Sequence, residues 1–171
     1  MKIQLSTLHN IPAIMNIIED AKQLLASQNI DQWQHGYPNA EQIENDIKNG
    51  ESYVVLNDEK QLVATAMFTI NKEPTYKVIT GKWKVDETET YGVIHRMAIK
   101  KEFRKLGIAS FMLQQFHQQL KSKNIHSLKI DTHEDNLDMQ SLIKKMGYEY
   151  CGIIQTNYGA KRRAFEKVIS L

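Results

Sequence analysis

Arg104-Lys105-Leu106-Gly107-Ile108-Ala109 brings two cations, a glycine and an alanine into six residues. The segment lies where an apolar run, Val93 to Ile99, gives way to an amphipathic pattern that predicts a helix beginning near Lys105. The first amides of a helix have no intrahelical partner and sit at the positive end of its dipole, so such a turn can hold a phosphate or diphosphate. Gly107 and Ala109 remove side-chain bulk on the ligand side, and Arg104 and Lys105 add charge at the mouth. The same six residues would also make a tight strand-helix packing contact, so taken alone they leave both readings open.

Proton chemistry is the second feature. His95, Met97 and Ile99 share one face of the strand before the loop, because side chains alternate with period two. An imidazole on that face can take a proton near neutrality, directly or through water; it can also be a hydrogen-bonded structural residue or a substrate contact. Arg96 points to the opposite face if the strand is regular, which reads as structural ion pairing. His133 stands in Asp131-Thr132-His133-Glu134-Asp135. That run lacks ligands at a recognised metal spacing, so no metal is expected, and Asp131 and His133 read as a polar brace or pocket wall.

The elements that must position these groups are legible as patterns. Lys2 to Leu5 alternates as a strand, and Asn10 with Ile11-Pro12 marks a helix start. Ile14, Ile17, Ile18, Ala21, Leu24 and Leu25 then recur as one buried helical face. Asn39-x-x-Gln42 predicts a second helix that stops before Gly50. Strands are expected over Ser52 to Leu56 and Leu62 to Ile70, joined by a turn at Asn57 to Lys60. Residues 71 to 90 show no period and are expected as a long excursion. The helix after the loop turns Ile108, Phe111, Met112, Phe116 and Leu120 inward and closes at Asn124. A strand from Leu128 to Thr132, a helix from Asn136 to Met146 ending on Gly147, and strands at Tyr148 to Gln155 and Arg163 to Ile169 complete the chain.

Composition narrows the function classes. With 171 residues, 42% of them hydrophobic, the chain is long enough for one domain, 1–171, and short for two. The formal net charge is +2 and the charges are dispersed, so neither nucleic acid nor an anionic membrane is expected as partner. Lys161-Arg162-Arg163 reads as a solvated strand start. The single cysteine, Cys151, excludes an intrachain disulfide and reads as a small core residue. No apolar run is long enough to span a bilayer and the N-terminus lacks the apolar region of a signal peptide, which predicts a cytoplasmic protein. The Gly-x-x-x-x-Gly-Lys-Ser/Thr pattern of P-loop enzymes is absent.

Arg-x-x-Gly-x-Ala follows the strand His95-Arg96-Met97-Ala98-Ile99. Downstream come Leu128-Lys129-Ile130-Asp131-Thr132, then Asn136, then Met139-x-x-Leu142-Ile143-Lys144-Lys145-Met146-Gly147-Tyr148 with its Gly-aromatic ending. In this order, over residues 91 to 155, the chain resembles the GNAT superfamily of acyl-CoA-dependent N-acyltransferases. The resemblance implies an α/β (α+β) GNAT fold: a mixed, mostly antiparallel twisted sheet, helices on both faces, and two splayed central parallel strands that admit acetyl-CoA as cosubstrate. It assigns Met97, Ala98 and Ile99 to the pantetheine arm, Arg104, Lys105, Leu106, Gly107, Ile108, Ala109 and Ser110 to the diphosphate, and Asn136 to the pantetheine or thiol end. Asn136 also reads as a plain helix cap.

The resemblance further implies an N-acetyltransferase acting on a small amine or amino-acid-like acceptor, with His95 as catalytic base and no metal. Protein N-terminal or lysine acetylation, and a non-catalytic acyl-CoA sensor, are the alternatives. Acceptor contacts fall on Trp33 and Tyr37 in the aromatic turn Asp31 to Pro38, on Trp83 and on His133; Trp33 and Tyr37 could instead lid the core. A homodimer is compatible with this reading. Many members carry a tyrosine after the Leu142 position as acid for the departing thiolate. Here Ile143 stands there, so the thiolate is expected to leave without a dedicated acid, and Ile143→Tyr to change kcat by less than about tenfold.

Overall fold

β-branched and aromatic residues cluster in short runs separated by Asn, Asp and Gly, and those runs become the strands. The computed structural model describes residues 1–86 and 88–170. Its strands are β1 (Lys2–Leu5), β2 (Ser52–Leu56), β3 (Leu62–Thr69), β4 (Ile79–Gly81), β5 (Gly92–Ile99), β6 (Ser127–Thr132), β7 (Glu149–Gln155) and β8 (Lys161–Val168). The helices are α1 (Ile11–Ser27), α2 (Ala40–Lys48), α3 (Ile108–Ser122) and α4 (Leu137–Lys145). They form a mixed, mostly antiparallel sheet whose parallel pair is β5–β6, the fold class expected from the sequence. The chain divides into two compact units, Met1–Phe68 with His95–Gln115, and Thr69–Ile94 with Phe116–Leu171.

In the first unit the strand order is β1-β2-β3-β5. α1 and α2 bury Ile14, Ile18 and Ile43 against Val54 of β2, with Ile11, Met15, Ile47 and Leu62 packed around them. Asn39 caps α2 by accepting the Gln42 amide at 2.9 Å, and Pro12 occupies the first turn of α1. Two expectations are corrected. Leu24, read as inward, is exposed, because the buried stripe of α1 narrows to Leu25 at its last turn. The Asn10 side chain accepts the Thr7 amide at 2.8 Å, which ties down the preceding turn and leaves α1 without a side-chain cap.

The second unit runs β5-β6-β8-β7-β4, with β5 represented by its first residues. The parallel register comprises Gly92↔Leu128, Val93↔Lys129 and Ile94↔Ile130; β6 continues to Thr132 and β5 to Ile99. Tyr76, Trp83, Tyr91, Val93, Cys151, Ile154 and Ala164 form its core cluster. The stretch read as an unstructured excursion contains a helical turn at Pro74–Tyr76 and the short strand β4. β4 pairs with β7 at Ile79↔Ile154, Thr80↔Ile153 and Gly81↔Gly152. Three residues carrying one aliphatic side chain present no period, which hid the strand. The two paired glycines let the backbones meet: a Cβ on Gly152 would lie 2.3 Å from the Thr80 carbonyl oxygen.

Candidate functional site

β5 ends at Ile99, where the Lys100 amide donates to the Val63 carbonyl at 2.8 Å. A single helical turn, Lys101–Phe103, and extended Arg104 lead into Lys105 at φ 62° and Gly107 at φ 80°. Those two left-handed residues delay the helix, so α3 begins at Ile108 rather than near Lys105. The first bond of its ladder joins the Phe111 amide to the Gly107 carbonyl at 3.0 Å. The amides of Ile108, Ala109 and Ser110 therefore precede the ladder and sit at the positive end of the helix dipole.

Steric access matches this polarity. Lys105, Leu106 and Gly107 are exposed, and a Cβ built on Gly107 meets nothing within 4 Å. Ile108, only 4% exposed, roots the first turn in the interior. Arg104 folds back so that its Nε donates to the Ile99 carbonyl at 3.3 Å, while its Nη2 is buried without a hydrogen-bond partner. Three amides ahead of the ladder, the exposed Lys105 and open space above a glycine form an arrangement that could hold an anion.

Along β5, His95, Met97 and Ile99 are half-buried, while Arg96 and Ala98 are buried, so the expected alternation holds. The strand is not regular, however: Arg96 adopts φ 54°. Its guanidinium grips Asp46 of α2 through two bonds, Nε to Oδ2 at 2.8 Å and Nη2 to Oδ1 at 2.7 Å, and Nη1 donates to the Tyr37 hydroxyl at 2.5 Å. Burial raises the Asp46 carboxyl above its ordinary range, opposed by the charge of Arg96. Sequence reasoning missed Asp46, although a carboxylate three residues after buried Ile43 on one helical face was a signal for a buried ion pair. Trp33, half-buried and at φ 65°, lies in the same α1–α2 turn as Tyr37.

The remaining candidates belong to the second unit. Trp83 is 9% exposed; its indole N–H donates to the Tyr76 carbonyl at 2.9 Å and its ring centre lies 4.5 Å from the Lys129 ammonium, so it is a core residue held at its edge and at one face. Asp131 accepts from the Tyr76 hydroxyl at 2.6 Å, the brace that the sequence suggested for it. Burial and the Asp131 charge push Tyr76 well above its ordinary range, so it stays a donor. His133 accepts the Asp135 amide on Nδ1 at 3.1 Å; a neutral ring then carries its proton on Nε2. Asn136 caps α4 by accepting the Met139 amide at 3.2 Å. Gln140, buried in α4, donates to the Glu134 carbonyl at 2.6 Å and accepts from Arg163 at 3.1 Å, fixing the turn that carries His133.

Ile143 is fully buried, so a tyrosine in its place would have to enter packed interior. Tyr148, a second place to look for an acid, is 3% exposed, with its hydroxyl 2.9 Å from His117 Nε2. Among the described residues, no group of three His, Cys, Asp or Glu side chains could hold a metal ion, and no helix is long and apolar enough to cross a membrane.

Residues 15–148 match the profile of the Acetyltransferase (GNAT) family. Among solved structures, the chain is 34% identical to a GNAT-family acetyltransferase from Streptococcus agalactiae, with a TM-score of 0.88 over 99% of this chain and 96% of that one. A GNAT-family acetyltransferase from Listeria monocytogenes is 15% identical with a TM-score of 0.76, over 98% and 94% of the two chains. The ribosomal-protein-S18-alanine N-acetyltransferase of Escherichia coli is 14% identical with a TM-score of 0.66, over 99% and 94%. No curated protein matches the sequence.

Proposed function

Since the chain belongs to the GNAT acetyltransferase family, we propose that it transfers an acetyl group from acetyl-CoA to the amine of a small or amino-acid-like acceptor, in the cytoplasm. We read 1–171 as one catalytic domain, supported by a family match that runs through both compact units. The observation that carries the cofactor assignment is the start of α3. The amides of Ile108, Ala109 and Ser110, ahead of the first ladder bond at Phe111, fit the diphosphate of acetyl-CoA, and Gly107 leaves room for its close approach. Arg104 and Lys105 add charge beside it, and the main-chain groups of Met97 to Ile99 are our candidates for the pantetheine arm.

Acetyl-CoA supplies an activated thioester. The chain must supply a neutral amine and a place for the leaving thiolate. His95, half-buried on the face it shares with Met97 and Ile99, is our candidate for the proton acceptor, directly or through water. As the amine nitrogen forms its bond to the carbonyl carbon, the carbon–sulfur bond breaks and the amine proton passes to His95. A thiol of ordinary acidity, ~8.5, leaves as a tolerable anion without a tyrosine beside it, which agrees with the burial of Ile143 and Tyr148. Trp33 and Tyr37 form our candidate acceptor wall.

The test is thiol release from acetyl-CoA across a panel of free L-amino acids, polyamines, arylalkylamines and short peptides. Acceptor-dependent release with a small amine supports the proposal. Tight CoA binding with no release on any acceptor would instead favour a sensor, and release with peptides alone would favour protein acetylation.

A further inference from the structure

The turn between α1 and α2 is tethered at two points. Near its middle, Gln34 donates from its amide to the Lys22 carbonyl of α1 at 3.1 Å and to the Gln32 carbonyl at 2.9 Å. Near its end, the Tyr37 hydroxyl accepts from Arg96. Immediately before the first tie, Trp33 holds a left-handed φ of 65° that a bulky residue adopts only when its surroundings enforce it. Arg96 itself stands at φ 54° in the middle of a strand, a backbone state with the same requirement. What enforces it is visible: the guanidinium is 7% exposed, Asp46 is 4% exposed, and the two meet as a bidentate fork that a lysine could not reproduce. The residue immediately before Arg96 is His95.

We infer that Arg96 is a positioning residue for acetyl transfer: through its fork on Asp46 and its bond to the Tyr37 hydroxyl, it fixes the aromatic acceptor turn relative to the strand that presents His95. This inference rests on the acetyltransferase reading and on Trp33 and Tyr37 facing the acceptor. Its physical content is that a single buried cation is shared by three elements, β5, α2 and the α1–α2 turn. Loss of one arm loosens one element and leaves the others in place.

Two variants test the tether, the first at the Tyr37 arm alone and the second at both arms. Tyr37→Phe removes only the hydroxyl and keeps the ring; Arg96→Lys keeps the charge and removes the fork. Tyr37→Phe should raise the acceptor KM about fivefold, with kcat within about twofold and acetyl-CoA affinity unchanged. Arg96→Lys should raise KM further and lower kcat as well, since the strand beneath His95 loses its restraint. Kinetics use the best acceptor of the amine panel. Amide hydrogen exchange, which needs no acceptor, should speed up at least about tenfold over residues 31–38 in Tyr37→Phe and leave α1 and α2 protected. Wild-type KM in both folded variants, or unchanged exchange over residues 31–38 in Tyr37→Phe, would overturn the positioning role. Failure of the wild-type protein to bind acetyl-CoA would instead strike the acetyltransferase reading, and the exchange experiment would still report on the tether.

Discussion

His117 Nε2 and the Tyr148 hydroxyl are 2.9 Å apart, and burial favours the neutral form of each. Burial, with Lys167 nearby, lowers the His117 imidazole to about 4; burial pushes the Tyr148 phenol far above its ordinary range. Between about pH 6.5 and 4 the unfolded chain binds a proton at His117 that the folded protein does not, so stability falls as pH falls through that window. Allowing for the partial exposure of the ring, the loss should be roughly 1–2 kcal/mol. Urea denaturation at pH 7 and pH 4.5 should show a smaller difference in His117→Gln than in the wild type. Equal differences would mean that His117 titrates normally.

Gly152 faces Gly81 with no room for a methyl group on either. Gly152→Ala should cost about 2–4 kcal/mol, because its φ of 149° is strained for any L side chain and the added carbon meets backbone. Thermal melting checks this, and a shift below about 2 °C would show that β4 moves aside freely.

Ile143→Tyr should destabilise the protein by about 1–3 kcal/mol through overpacking. The melting temperature, not the rate, is where its effect belongs. A stable variant with altered kcat would return this position to the catalytic discussion.

β2, β3, β6 and β8 were legible because their apolar residues repeat over five residues or more, and α2 because Asn39 announces its own cap. β4 was not, since what places it is the Gly81–Gly152 approach, a long-range fact with no local pattern. The start of α3 was misplaced by three residues because φ at Lys105 is set by the turn and not by helix propensity. The glycine turn ahead of α3 could be read from residue types alone. The Arg96–Asp46–Tyr37 assembly could not, because its members lie far apart in the chain and strand alternation gives Arg96 a face without naming what it grips. Trp83 shows the converse: an aromatic in a polar stretch suggested a binding surface, and Tyr76 and Lys129 enclose it.

His95→Ala should lower kcat by roughly two to four orders of magnitude at neutral pH and leave acetyl-CoA affinity nearly unchanged. Steady-state kinetics with a validated amine, alongside titration of acetyl-CoA, decide it. Wild-type turnover would transfer the base role to water or another group.

The central claim is that the start of α3 binds the diphosphate of acetyl-CoA, and isothermal titration of Gly107→Glu with acetyl-CoA addresses it most directly. The substitution meets no protein atom within 4 Å at its Cβ, so the domain should remain folded despite the strain of φ 80°. It sets bulk and negative charge over the amides of Ile108 to Ser110. The account predicts that binding is weakened by at least about a hundredfold, close to 3 kcal/mol, with circular dichroism unchanged. Wild-type affinity in a folded Gly107→Glu protein would contradict it.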